Sequence, residues 1–117
     1  MAEHNQTGNR GEEIAASFLG KKGFSILHTN FRIGRNEVDL IASMHDTLHF
    51  IEVKTKAGIS IGTPEQRVDK AKIGRMKSVA EQYLYDNPGW KFIQFDIISI
   101  TMKEGMEPEI FVIEDVF

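Results

Sequence analysis

The chain has 117 residues, 41% of them apolar and 26% charged, a composition that suits one soluble domain spanning residues 1–117 with a core of its own. It contains no cysteine, which excludes a disulfide scaffold and any thiolate metal site. Its polar N-terminus and the lack of any apolar run of membrane-span length argue against a membrane partner and for a cytoplasmic location, and a net charge of −3 argues against a non-specific nucleic-acid binder.

The first predicted element is a helix over Glu12 to Lys22, where Ile14, Ala15, Ala16, Phe18 and Leu19 recur at helical spacing and Gly20 and Gly23 provide the stop. Its two leading acids point different ways. Glu12 shares a stripe with Ala15, Ala16 and Leu19, the inward face, whereas Glu13 shares the wet face with Ser17 and Lys21. Before them, Gly8 to Gly11 reads as a glycine-rich helix start whose amides would meet a phosphate. A strand follows over Phe24 to Arg32, then a turn at Gly34-Arg35-Asn36.

Residues 36–54, NEVDLIASMHDTLHFIEVK, carry the strongest chemical signal. Two apolar runs flank a polar turn, and Asp39, Glu52 and Lys54 are set into them. With the turn at His45-Asp46, residues whose numbers sum to 91 lie opposite one another. Asp39 then faces Glu52, Glu37 faces Lys54, and Leu40/Ile51 and Val38/Val53 line the other face. Directly opposed side chains have Cβ atoms roughly 4.5–5.5 Å apart, where like charges destabilise. Two opposed carboxylates therefore ask for a cation. The alternative is a surface hairpin with ordinary cross-strand ion pairs such as Glu37 with Lys54.

Beyond the hairpin, Ala57 to Gly62 is a glycine-containing loop. The next helix starts either at a capping box over Thr63 to Gln66 or just after Asp69, and it buries Ile73, Met76, Ala80, Tyr83 and Leu84 before ending at Asp86-Asn87-Pro88-Gly89. Lys91 to Ile100 reads as a buried central strand and Ile110 to Ile113 as a last one. Asp96, inside the apolar run, must find a partner such as a backbone amide or a lysine. Trp90 anchors the start of its strand. The element order α-β-β-β-α-β-β predicts an α/β fold, a mixed β-sheet flanked by helices.

Charge is polarised along this order: Lys54 to Lys77 holds seven cations against two acids, and the chain from Glu104 onwards holds five acids and no cation. The basic middle suits phosphate contacts, with Lys56, Arg67 and Lys72 as candidates. Asp39 and Glu52, with the carbonyl of Val53, would hold Mg²⁺ or Mn²⁺ through oxygen ligands. Lys54 would orient the attacking water or neutralise developing charge, and Glu12 would add a third carboxylate if its helix crosses the hairpin end. Glu52-Val53-Lys54 is the only acid-x-Lys triplet in the chain.

The stretches GNRGEEIAASFLGKKGF, NEVDLIA and FIEVKTK, a lysine-bearing helix and QFDII resemble the uncharacterised bacterial YraN-like family. That family is regarded as related to the archaeal Holliday-junction resolvases in the PD-(D/E)XK nuclease superfamily. The resemblance covers nearly the whole chain; Asn36 stands where family members usually have glycine, a change in the turn and not in a ligand. It implies a restriction-endonuclease-like fold, a Mg²⁺- or Mn²⁺-dependent DNA endonuclease and a homodimer, with Asp39, Glu52 and Lys54 as the nuclease core and Glu12 as the helical acid. A dimer contact would come from the Ile110 to Ile113 edge or the Tyr83-Leu84 face. The rival expectation is a non-catalytic nucleic-acid-binding module or adaptor that retains the nuclease fold.

Overall fold

The computed structural model describes residues 3–57 and 70–116. The element order is α1 (Glu3–Lys21), β1 (Ser25–Ile33), β2 (Asn36–Met44), β3 (Thr47–Ala57), α2 (Lys70–Asp86), β4 (Phe92–Met102) and β5 (Glu109–Ile113). This is the expected α-β-β-β-α-β-β order, a mixed five-stranded sheet with two helices. Strands run in the order β1-β2-β3-β4-β5, antiparallel except for the parallel β3–β4 pair that the α2 crossover makes possible. The capping box at 63–66, Arg67, Asp69 and the loop from Gly58 to Gly62 lie outside the described residues.

Each face of the sheet has its own core. On one side Ala15 and Leu19 of α1 meet Leu40, Ala42, Ile51, Ile98 and Ile100. On the other, Met76, Val79, Ala80 and Tyr83 of α2 cover Val38, Ile41, Leu48 and Phe50. Each such buried aliphatic or aromatic side chain contributes about 1.5–3 kcal/mol. The Tyr83 ring meets His28, Phe31 and Phe50 edge-on, with centroids 5.4, 5.3 and 5.9 Å away. At 5% exposure Tyr83, expected on a dimer face with Leu84, is core: the helical stripe that holds it is turned onto the sheet, and Leu84 is half-buried. Trp90 packs against the same core, as its position at the strand start suggested.

Helix α1 begins nine residues before its expected start at Glu12, so Gly8 to Gly11 lies inside the helix and not at its N-terminus. The reason for Gly11 is packing. A Cβ there would run into the Thr55 side chain, its Oγ1 first. A mid-helix glycine costs about 1 kcal/mol against alanine, and here it lets α1 lie directly on β3.

The hairpin turn falls at His45-Asp46, with Met44 opposite Thr47 and Leu40 opposite Ile51. His45 takes φ +54°, a left-handed turn conformation that a histidine tolerates better than a branched residue would.

Candidate active site

The predicted register holds from the turn to the Leu40–Ile51 pair, and then the pairing of β2 with β3 stops. On the other edge of β2, partners run from Thr29–Leu40 to Phe31–Val38 without joining Asn30 to Asp39. Asp39 thus sits at a break in both ladders. The two sheet faces exchange across it: Leu40 packs towards α1, whereas Val38 packs towards α2. With its backbone out of register, Asp39 uses its side chain instead, and its Oδ2 accepts the N–H of Val53 at 2.8 Å. The sequence reading of Val38 and Val53 as a pair on one face is corrected by this kink, because Val53 packs on the α1 side. The β2–β3 ladder ends before Glu37 and Lys54, and Glu37 forms an ion pair with Arg32 of β1 at 2.9 Å.

Glu52 follows Leu48 and Phe50 onto the α2 face and is 4% exposed. Burial, then a hydrogen bond to Asp39 and the charge of Asp39, push its pKa from 4.5 up to about 8, and Lys72 works against the rise. Lys72 of α2 reaches across to Glu52, its Nζ forming an ion pair with Oε2. Burial opposes the Lys72 charge, but the hydrogen bond and charge of Glu52, with Asp39, hold its pKa above the ordinary value. The sequence marks Lys72 as a phosphate contact; in the structure it closes over the acid pair. Lys54 stands on the same face and lines a narrow crevice with Glu52, Lys72, Ile73, Met76 and Ile97. Lys56, half-buried, follows at the next same-face position of β3, opposite Thr101.

Glu12 comes from α1, half-buried one residue after Gly11, while Glu13 is exposed as its wet stripe required. Burial and the charges of Asp39 and Glu37 raise the Glu12 pKa, and a hydrogen bond from Asn30 opposes them. Glu12 is therefore within the field of Asp39. Among the described residues, however, no three acid or histidine side chains converge into a metal-holding group. The contact pair is Asp39 with Glu52, and Glu12 stands off from it. Two carboxylates make a hard oxygen donor set that suits Mg²⁺ or Mn²⁺, and the raised Glu52 pKa reflects burial first and then its neighbour Asp39, both of which a bound cation would offset.

Asn30 is the site residue that the sequence reading missed. Its signal was a polar residue of low strand propensity in the middle of a strand, a residue type that often takes positive φ. Asp96, in contrast, found the backbone amide expected of it and a histidine in place of a lysine. Its Oδ2 lies 2.7 Å from His49 Nδ1, and its Oδ1 accepts from Gln94 Nε2 and Asp115 N, both at 2.9 Å. This cluster is a structural pin for the C-terminal segment on the α1 side of the sheet.

Residues 11–100 match the uncharacterised protein family UPF0102. The chain belongs to that family. It is 41% identical over 117 residues to the UPF0102 protein FP2501 of Flavobacterium psychrophilum, covering 100% of this chain and 98% of the relative. It is also 41% identical over 103 residues to a UPF0102 protein of Dictyoglomus thermophilum (87% of each chain), and 36% over 118 residues to one of Rhodococcus opacus (100% of each). The UPF0102 match takes in Glu12, Asp39, Glu52, Lys54 and Lys72, and so spans every candidate site residue described above. No helix among the described residues is long and apolar enough to cross a membrane.

Proposed function

We propose that this protein is a metal-dependent endonuclease acting on nucleic acid, with DNA the expected substrate. The supporting observation is the Asp39–Glu52 contact: two carboxylates, one of them 4% exposed, held together at a break in the sheet beside a lysine-rich face. Asp39 and Glu52 would hold Mg²⁺ or Mn²⁺, with the Val53 carbonyl as a further ligand. Such a cation polarises a phosphoryl oxygen and lowers the pKa of a bound water. The Val53 amide fixes the Asp39 carboxylate, so the donor atoms are held before a metal arrives. Lys54 would orient the water or balance charge on the phosphate; Lys56, Arg67 and Lys72 would hold flanking phosphates, and Glu12 would be an auxiliary acid. The expected setting is cytoplasmic. Two copies joined at the β5 edge would present two such sites, which size-exclusion chromatography with light scattering tests.

A second reading is a nucleic-acid-binding module without turnover. Lys72 favours it, because its ion pair with Glu52 already supplies a cation to the acid pair. Branched and linear DNA incubated with Mg²⁺ or Mn²⁺ distinguishes the two. Cleavage by the wild type that disappears in Glu52→Ala supports the nuclease. Binding without cleavage supports the module. Cleavage that persists in Glu52→Ala refutes the site.

A further inference from the structure

We propose that Asn30 is a positioning residue, which makes the kink that exposes Asp39 and aims Glu12 at the Asp39–Glu52 pair. The inference rests on the metal-site reading and extends it to the way Glu12 is held beside the site.

The backbone carries the first part of the argument. Asn30 lies inside β1 yet takes φ +51°. Strand residues occupy the β region, and a left-handed residue there reverses the alternation of faces. The neighbours show the reversal. Thr29 lines a cleft of about 360 Å³ with Glu12, Glu13, Ala16 and Asn30, on the α1 side. Phe31 packs on Tyr83, on the α2 side. Opposite Asn30 is Asp39, where β2 makes the same exchange between Leu40 and Val38. The two strands kink together, and the kink takes Asp39 out of both ladders. Backbone strain of this kind persists where the surroundings impose it.

The side chain carries the second part. Asn30 and Glu12 line the same cleft, and a hydrogen bond from Asn30 works against the rise in the Glu12 pKa. Asn30 thus links the helical acid to the strand position beside Asp39, in the way that outer partners orient metal ligands. If asparagine were present only for its tolerance of positive φ, glycine would serve as well or better. Asn30→Gly separates the two roles, because it keeps the backbone and removes the amide.

The test is calorimetric titration of the full chain with Mn²⁺, using wild type, Asn30→Gly, Asn30→Asp, Glu12→Gln and the Asn30→Gly/Glu12→Gln double variant, each with its melting curve. Asn30→Gly is expected to melt near wild type and to bind Mn²⁺ about tenfold more weakly. Asn30→Asp, which sets a like charge against Glu12, is expected to lose at least as much. The double variant should bind no more weakly than Glu12→Gln alone. Wild-type affinity in Asn30→Gly, or additive losses in the double variant, would overturn the proposal. If the wild type takes up no Mn²⁺, the metal reading falls by itself. The melting curves of wild type, Asn30→Gly, Glu12→Gln and their double variant then form a double-mutant cycle, in which a zero Asn30–Glu12 coupling removes the positioning role also.

Discussion

The N–H of Val53 donates to Oδ2 of Asp39 at 2.8 Å, one residue past the point where β2 and β3 cease to pair. The carboxylate thus replaces the backbone acceptor that a regular ladder would have supplied. Asp39 has two physical roles of opposite sign, as acceptor for that amide and as a like charge for Glu52. Asp39→Asn keeps an acceptor and removes the charge, so it should stabilise the metal-free protein at pH 8. Asp39→Ala leaves the part-buried amide without its partner, a loss of about 1–3 kcal/mol that offsets the relieved repulsion. Thermal melts of both variants check the difference in sign, and equal shifts in both would show that the amide bond contributes nothing.

Glu52 makes stability depend on pH. Its folded-state pKa of about 8 lies above the ordinary 4.5, so between these values the folded protein binds the extra proton. Its contribution is fully present below about pH 4.5 and is lost as pH rises through 8. Melting midpoints of the wild type should therefore fall across this window more steeply than those of Glu52→Gln, which has no proton to lose. The same proton must leave when a cation binds. Mn²⁺ affinity should rise from pH 6 towards 8.5 with up to one proton released, a number obtained from calorimetry in buffers of different ionisation enthalpy.

Gly11 tests whether helix α1 positions the site through its close approach to β3. Gly11→Ala raises intrinsic helix propensity by about 1 kcal/mol, so on an open helix it would stabilise. Here the new methyl meets Thr55 Oγ1 and Cγ2, and overpacking of this sort costs about 1–3 kcal/mol. Net destabilisation is the expected result. Thr55→Ala in the same chain should restore much of it, since Oγ1, by far the nearest obstruction, is then gone together with Cγ2 and only the Cβ contact stays. Stabilisation by Gly11→Ala alone would show that α1 moves away freely.

Hairpin register was legible because apolar alternation and a two-residue turn leave a single way to fold, and every residue from Leu40 to Ile51 obeys it. The kink at Asp39 was not, because it depends on φ at Asn30, which alternation cannot encode. Val38 was thus placed on the wrong face, and Glu37 has in Arg32 of β1 an ion-pair partner that the hairpin alone does not suggest. The inward stripe of α1 was readable from Ala15 and Leu19, which are buried, yet its true start at Glu3 was hidden by glycines that usually end helices. Gly11 was one of them, and its reason lies 44 positions away at Thr55, beyond the reach of any local pattern. Asp96 was readable as a buried charge in need of partners, although which partners depended on the β3–β4 register that sets His49 opposite Gln94.

Lys72 distinguishes a closed acid pair from one ready for a cation. Its side chain is 42% exposed while that of Glu52 is 5% exposed, so the pair is intermediate between surface and buried ion pairs. Removing a surface partner costs under about 1 kcal/mol and a buried one about 3–5. Lys72→Met should therefore destabilise the metal-free protein at pH 8 by an intermediate amount, about 1–3 kcal/mol. It should also bind Mn²⁺ more tightly than wild type, because the cation no longer displaces an ammonium, and its melting midpoint should rise more on Mn²⁺ addition. Cleavage should fall in the same variant if the displaced lysine goes on to hold a phosphate. Tighter Mn²⁺ binding with slower cleavage thus marks a lysine that changes partner during turnover. Weaker Mn²⁺ binding in Lys72→Met would instead mean that the lysine only organises the two carboxylates.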